Sequence, residues 1–126
     1  MTELSRVAQI EANGCGIACL AMLEGRDYDS VRAEFPDMTS SGLSEIDVLH
    51  WLNARGWFYQ RHWIAGTVAD LAPTLALAMV QTTKATGHWI VITDRGILDP
   101  ARETPLRPID YGIFKWIPLR KAETLR

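Results

Sequence analysis

Apolar residues crowd one stretch of this chain: every residue from Ile17 to Leu23 is apolar, with Cys19 and Met22 among aliphatic side chains. A helix that is apolar on every side is a buried one. The segment Gln9 to Gly25, QIEANGCGIACLAMLEG, therefore predicts a helix running through the middle of a small domain. Asn13 is placed to cap its start, and Gly25 to end it in the left-handed conformation. Shorter elements follow. Val31 and Phe35, at i and i+4, mark a second helix over Asp27 to Phe35, stopped by Pro36. Ser44 and Asp47 form a capping-box pattern that opens a third helix, running to Arg55 and closed by Gly56. Its apolar face is expected at Ile46, Leu49 and Leu52, with Val48 and Trp51 to one side.

From Trp57 the period of the pattern changes from the helical one to the two-residue alternation of strands. Trp57 to Ile64 reads as a strand ended by Ala65-Gly66, and Thr67 with Asp70 as a capped single turn of helix. Leu75 to Gln81 is a continuous apolar run, as a central strand buried on both faces would be. His88 to Asp94 predicts a strand that begins at the histidine itself. Asp94-Arg95-Gly96 is a turn signal, followed by a short strand, Ile97 to Asp99, and a break at Pro100. Tyr111 to Leu119 alternates as a last strand, with Pro118 expected to keep its end on a sheet edge. Helices first and strands second is an α+β layout: N-terminal helices, one bearing Cys15, packed on a C-terminal antiparallel sheet. No repeat or compositional break divides the 126 residues, so a single domain over 1–126 is expected.

Composition narrows the function classes. An apolar share of 48% with five tryptophans suits a packed globule. A formal net charge of −2 gives no electrostatic case for nucleic acid or a membrane surface as partner. The longest apolar run falls far short of the roughly 20 residues that span a bilayer, so no membrane segment is expected. The start, MTELSRVAQI, lacks the apolar core of a signal peptide. Two cysteines four residues apart share a helix face, a poor geometry for a disulfide, so a reducing, cytoplasmic setting is expected. Four tryptophans, Trp51, Trp57, Trp63 and Trp89, are candidates to line an apolar groove. His50 and His62 are expected at the surface or in a groove.

The chemistry-bearing residues are few. Cys15 falls in the first turn of the apolar helix, where the macrodipole favours a thiolate, and Gly14 and Gly16 beside it leave room for a substrate backbone. Cys19, deeper in the helix, is expected to be core filler. A thiol at a helix start, a histidine far along the chain and a carboxylate to orient it are the minimum set for thiol acyl transfer. Hairpin geometry ties the last two together. A two- or four-residue loop after Thr93 sets Asp99 opposite Ile90 or Ile92, on the face that His88 shares. Pairing with Ile90 places Asp99 diagonal to His88, roughly 7–8 Å between backbones and within side-chain reach. A three-residue loop would turn Asp99 to the other face.

Gln9 followed six positions later by Cys15 and then by GIACLAML resembles the nucleophile segment of the double-glycine-leader (bacteriocin-processing) cysteine peptidases, a papain-like group. In that family a histidine opens a strand and an Asp-Pro follows a short hairpin, as His88-Trp-Ile-Val-Ile and Ile-Leu-Asp99-Pro100 do here. The resemblance implies a papain-like fold, Cys15 as nucleophile, His88 as base, Asp99 as its orienter and Gln9 as an oxyanion donor. It implies no cofactor or metal, and a peptide or protein substrate. One departure is that the family usually carries an acidic residue just before the cysteine, where this chain has Gly14. The family's leader-peptide substrate is not carried over. A papain-like module that has lost catalysis and binds an extended peptide or partner protein in the same cleft is the alternative. A zinc site on Cys15, Cys19 and a histidine lacks the usual knuckle spacing and a fourth ligand.

Overall fold

The computed structural model describes residues 4–59, 75–81, 87–106 and 111–121. Helix α1 is Cys15–Glu24, α2 Tyr28–Arg32 and α3 Glu45–Ala54; the strands are β1 Trp57–Tyr59, β2 Ala76–Gln81, β3 Gly87–Thr93, β4 Gly96–Leu98 and β5 Gly112–Lys121. The strands form one antiparallel sheet in the order β1-β5-β2-β3-β4. The expected turn at Thr67 and Asp70, together with His62 and Trp63, lies outside the described residues.

Helix α1 is buried from Gly16 to Leu23, as its pattern required. It lies on one face of the sheet in a core that includes Leu77, Trp89, Val91, Ile117 and Leu119. Each fully buried Ile, Leu or Met there contributes about 1.5–3 kcal/mol relative to exposure. The sheet's other face carries a second cluster of Ala76, Ala78, Val80, Ile90, Ile92 and Tyr111. Strand β2 is thus covered on both faces, between β5 and β3. Gly25 ends α1 at φ +64°, and the amide of Arg26 returns to the Ala21 carbonyl at 2.9 Å, a left-handed cap that a side chain would strain.

Four expectations change. The cap of α1 is Gly14, one residue later than Asn13. A turn from Glu11 to Gly14 (3.0 Å) starts the helix late, and the Asn13 side chain instead donates to the Thr39 carbonyl at 2.8 Å. In α3 the capping box of Ser44 and Asp47 is present, but the buried side chains are Val48, Trp51 and Leu52, while Ile46 is 79% exposed. Spacing i, i+3, i+4 from Val48 selects that stripe and turns Ile46 outward. Finally, β5 is an interior strand, with Pro118 opposite Ala76. The Leu119 amide reaches the Leu75 carbonyl, so alternation points position 118 the other way, past the last described β1 pair, Tyr59–Leu119. The absent N–H therefore breaks no described rung. Of the four tryptophans expected to line a groove, Trp51, Trp57 and Trp89 are core residues, and Trp63 lies outside the described residues.

Candidate active site

Cys15 is the first residue of α1, with only the glycine cap before it. A backbone N–H in a helix's first turn has no partner within the helix, so the sulfur and an orphan donor leave the same residue. Gly14 has room for no side chain, because a Cβ there would overlap the Tyr28 hydroxyl. On Gly16 a Cβ would meet Leu43 at 3.2 Å and Trp89 at 3.3 Å, so α1 approaches the start of β3 closely at this turn.

The β3–β4 hairpin supplies the other groups. Thr93 pairs with Gly96, Ile92 with Ile97 and Val91 with Leu98, so the loop is the two residues Asp94 and Arg95. Continued by one step, this register sets Asp99 opposite Ile90, the arrangement that brings it diagonal to His88. His88 Nε2 and Asp99 Oδ1 are 2.8 Å apart. The Cys15 thiol lies near enough to the imidazole to raise its pKa; with Nε2 engaged by Asp99, Nδ1 is the nitrogen left to face the sulfur. The ladder to β4 ends at Val91, and beyond it the Trp89 N–H donates to Cys15 Sγ at 3.5 Å. The structure thus brings Cys15, His88 and Asp99 together.

Asp99 is 2% exposed, and a buried carboxylate needs its lone pairs met. Oδ1 is shared between His88 and the Ala101 N–H (2.9 Å), and Oδ2 accepts from the Tyr111 hydroxyl at 2.7 Å. Burial works to raise its pKa, but the hydrogen bonds from His88, Tyr111 and the Ala101 amide outweigh it and hold the carboxyl below its ordinary range. Burial of His88 opposes its charge; the Asp99 hydrogen bond and the neighbouring Cys15 outweigh that and push its pKa up to about 9. Burial raises the Cys19 thiol well above its ordinary value, and the neighbouring Cys15 and Asp99 add to this.

Gln9 sits on the loop entering α1, its backbone N–H bound to the Pro100 carbonyl at 3.0 Å. Its side-chain nitrogen does not offer a free donor to the sulfur. Both amide hydrogens are engaged, by the Glu11 carbonyl (3.0 Å) and the Ala12 carbonyl (3.1 Å), while Oε1 is buried without a partner. Arg6 donates to the carbonyls of Asp99 (2.7 Å) and Pro100 (3.1 Å), binding the N-terminal segment to the same corner. Glu11 accepts from Tyr28 and from Arg32, both at 2.8 Å. Sequence reasoning missed Tyr111 and Arg6. The only available signal was that a buried Asp must find further donors.

A cavity of about 520 Å³ between α2 and α3 is lined in part by Phe35, Met38 and Leu43, and none of Cys15, His88 and Asp99 borders it. Among the described residues, no group of three or more His, Cys, Asp and Glu is disposed to hold a metal ion, and no helix is long and apolar enough to cross a membrane.

No family model matches the chain, and no curated protein matches it. Solved structures do. The chain is similar to a double glycine motif protease from an AMS/PCAT transporter, solved in complex with the leader peptide, at TM-score 0.70 and 18% identity, covering 95% of this chain and 93% of that one. It is also similar to the peptidase domain of Streptococcus ComA, a bifunctional ABC transporter involved in quorum sensing, at TM-score 0.64 and 18% identity, covering 95% of this chain and 100% of that one. The fold is that of these papain-like peptidase domains.

Proposed function

We propose that this chain, which has the fold of double-glycine peptidase domains, is a cysteine peptidase that cleaves a peptide or isopeptide bond through an acyl-enzyme on Cys15. The observation that carries the reading is the imidazole of His88, 2.8 Å from Asp99 and next to the residue whose N–H meets the Cys15 sulfur at 3.5 Å. In this reading His88 Nδ1 takes the thiol proton, and the thiolate adds to the substrate carbonyl. The tetrahedral oxyanion faces the orphan N–H of Cys15. His88 then returns the proton to the departing amine, leaving a thioester, and water activated by the same imidazole releases the acid. Asp99 stays ionised and holds the ring's orientation.

Gln9 is the proposed second oxyanion donor. Its amide must first rotate to carry Nε2 to the side where the unpartnered Oε1 lies, giving up two carbonyl contacts of about 0.5–1.5 kcal/mol each. The solved neighbour bound to a leader peptide supports a peptide or protein substrate for this chain. The reading also carries a single domain over 1–126 and a cytoplasmic, reducing setting in which both cysteines stay free thiols.

The engaged amide of Gln9 favours a second reading, a non-catalytic module that binds an extended peptide in the cleft. Incubation with a peptide library, read by mass spectrometry, separates the two. Cleavage that is lost in Cys15→Ala supports the enzyme; peptide capture without cleavage by the wild-type protein supports the module.

A further inference from the structure

We propose that Tyr111 is a positioning residue of this site: its hydroxyl fixes the Asp99 carboxylate in the plane from which Asp99 orients His88, and through that chain sets how readily Cys15 ionises. The inference rests on the peptidase reading of Cys15 and His88 and extends it to a residue that touches neither.

The argument begins with a count of lone pairs. Asp99 is 2% exposed, so water cannot complete its shell. Oδ1 already serves two donors, His88 and the Ala101 amide. Oδ2 is met by Tyr111, which is itself 4% exposed. The Tyr111 hydroxyl accepts the Leu106 N–H at 3.1 Å, so its single proton is directed to the carboxylate. The two carboxylate oxygens are thus held from opposite sides, by the Ala101 amide and by the phenol. A carboxylate so held cannot swing about its terminal torsion, and Oδ1 stays aimed at Nε2.

The charged and titratable groups around this contact come from several elements. His88 binds Asp99 Oδ1, Arg6 holds the Asp99 carbonyl, Arg102 acts on Tyr111 in the direction opposite to Asp99, and the buried Cys19 is acted on by Asp99. Burial and the Asp99 contact keep the phenol protonated far above its ordinary range, so it donates wherever Cys15 and His88 titrate. With the phenol oxygen removed, Oδ2 is buried without its donor. The carboxylate then becomes both less stable as an anion and free to turn. Each change withdraws support from the imidazolium, and so from the thiolate beside it.

The test uses the full chain and iodoacetamide, with alkylation of Cys15 followed by peptide mapping as a function of pH. Tyr111→Phe keeps the ring and should slow alkylation near pH 6–7 by about three- to tenfold, moving the midpoint of the profile upward by about half to one unit. In an Asp99→Ala background, or Asp99→Asn if the alanine variant fails to fold, the same substitution should change nothing further. A Tyr111→Phe profile that overlays the wild type, with or without loss of thermal stability, overturns the proposal. So does a slowing of equal size with Asp99 already replaced. His88→Ala distinguishes the two levels. If it alkylates like the wild type, the peptidase reading falls and the role of Tyr111 with it. If the profile depends on His88 but not on Tyr111, the role of Tyr111 alone is wrong.

Discussion

Cys15 and Cys19 share a helix and a functional group, yet only the first is expected to react. Cys19 is 1% exposed, and burial pushes its thiol away from ionisation, whereas Cys15 is partly exposed beside His88 and the Trp89 amide. Brief alkylation near neutral pH should therefore label Cys15 and leave Cys19 unmodified, as read by peptide mapping. Gln9→Ala should lower turnover by about 10²–10³, the cost of one lost oxyanion donor, while labelling of Cys15 persists. Unchanged turnover would leave Gln9 as a loop brace only. At this scale the sequence was most legible where chemistry and position coincide: a thiol at a helix start, a histidine at a strand start, an Asp-Pro after a hairpin. Tyr111 was not legible. Its contact with Asp99 crosses twelve positions of partly irregular chain, where no periodicity says which side chain turns inward.

At the scale of elements, termini were easier to foresee than faces. The capping box of α3 and the left-handed end of α1 follow from side chains acting on their own backbone. The face of α3 does not, because Ile46 and Val48 are equally apolar and only the docking against α1 and β1 decides between them. Leu52→Ala should then cost about 2–5 kcal/mol in urea denaturation, while Ile46→Ala should stay within about 0.5 kcal/mol. A cost for Ile46→Ala as large as that for Leu52→Ala would restore the stripe that the sequence suggested. The position of β5 was illegible for a similar reason: a proline signals a missing donor without saying on which side a neighbour is absent. The hairpin between β3 and β4 was legible, since a two-residue loop fixes register and register fixes faces.

For the whole molecule, the His88–Asp99 pair couples folding to pH. His88 titrates at about 9 in the folded chain against an ordinary 6.5, so its contribution to stability is complete below about 6.5 and fades as pH rises toward 9. Asp99 is shifted down, so its contribution is present above its ordinary 3.8 and is lost on acidification through the lower folded value. The denaturation midpoint should decline between pH 6.5 and 9, and His88→Gln should flatten that decline. A variant with an unchanged slope would assign the pH dependence to other groups. The sulfur and the hairpin amide that meets it are 74 positions apart, and the two carbonyls bridged by Arg6 lie 93 and 94 positions beyond it. During synthesis Cys15 therefore leaves the ribosome long before His88, and the two meet only when the strands have docked. If the proposed peptidase reading holds, a half-made chain should cut neither itself nor its neighbours, and the onset of thiol reactivity should mark the completion of folding.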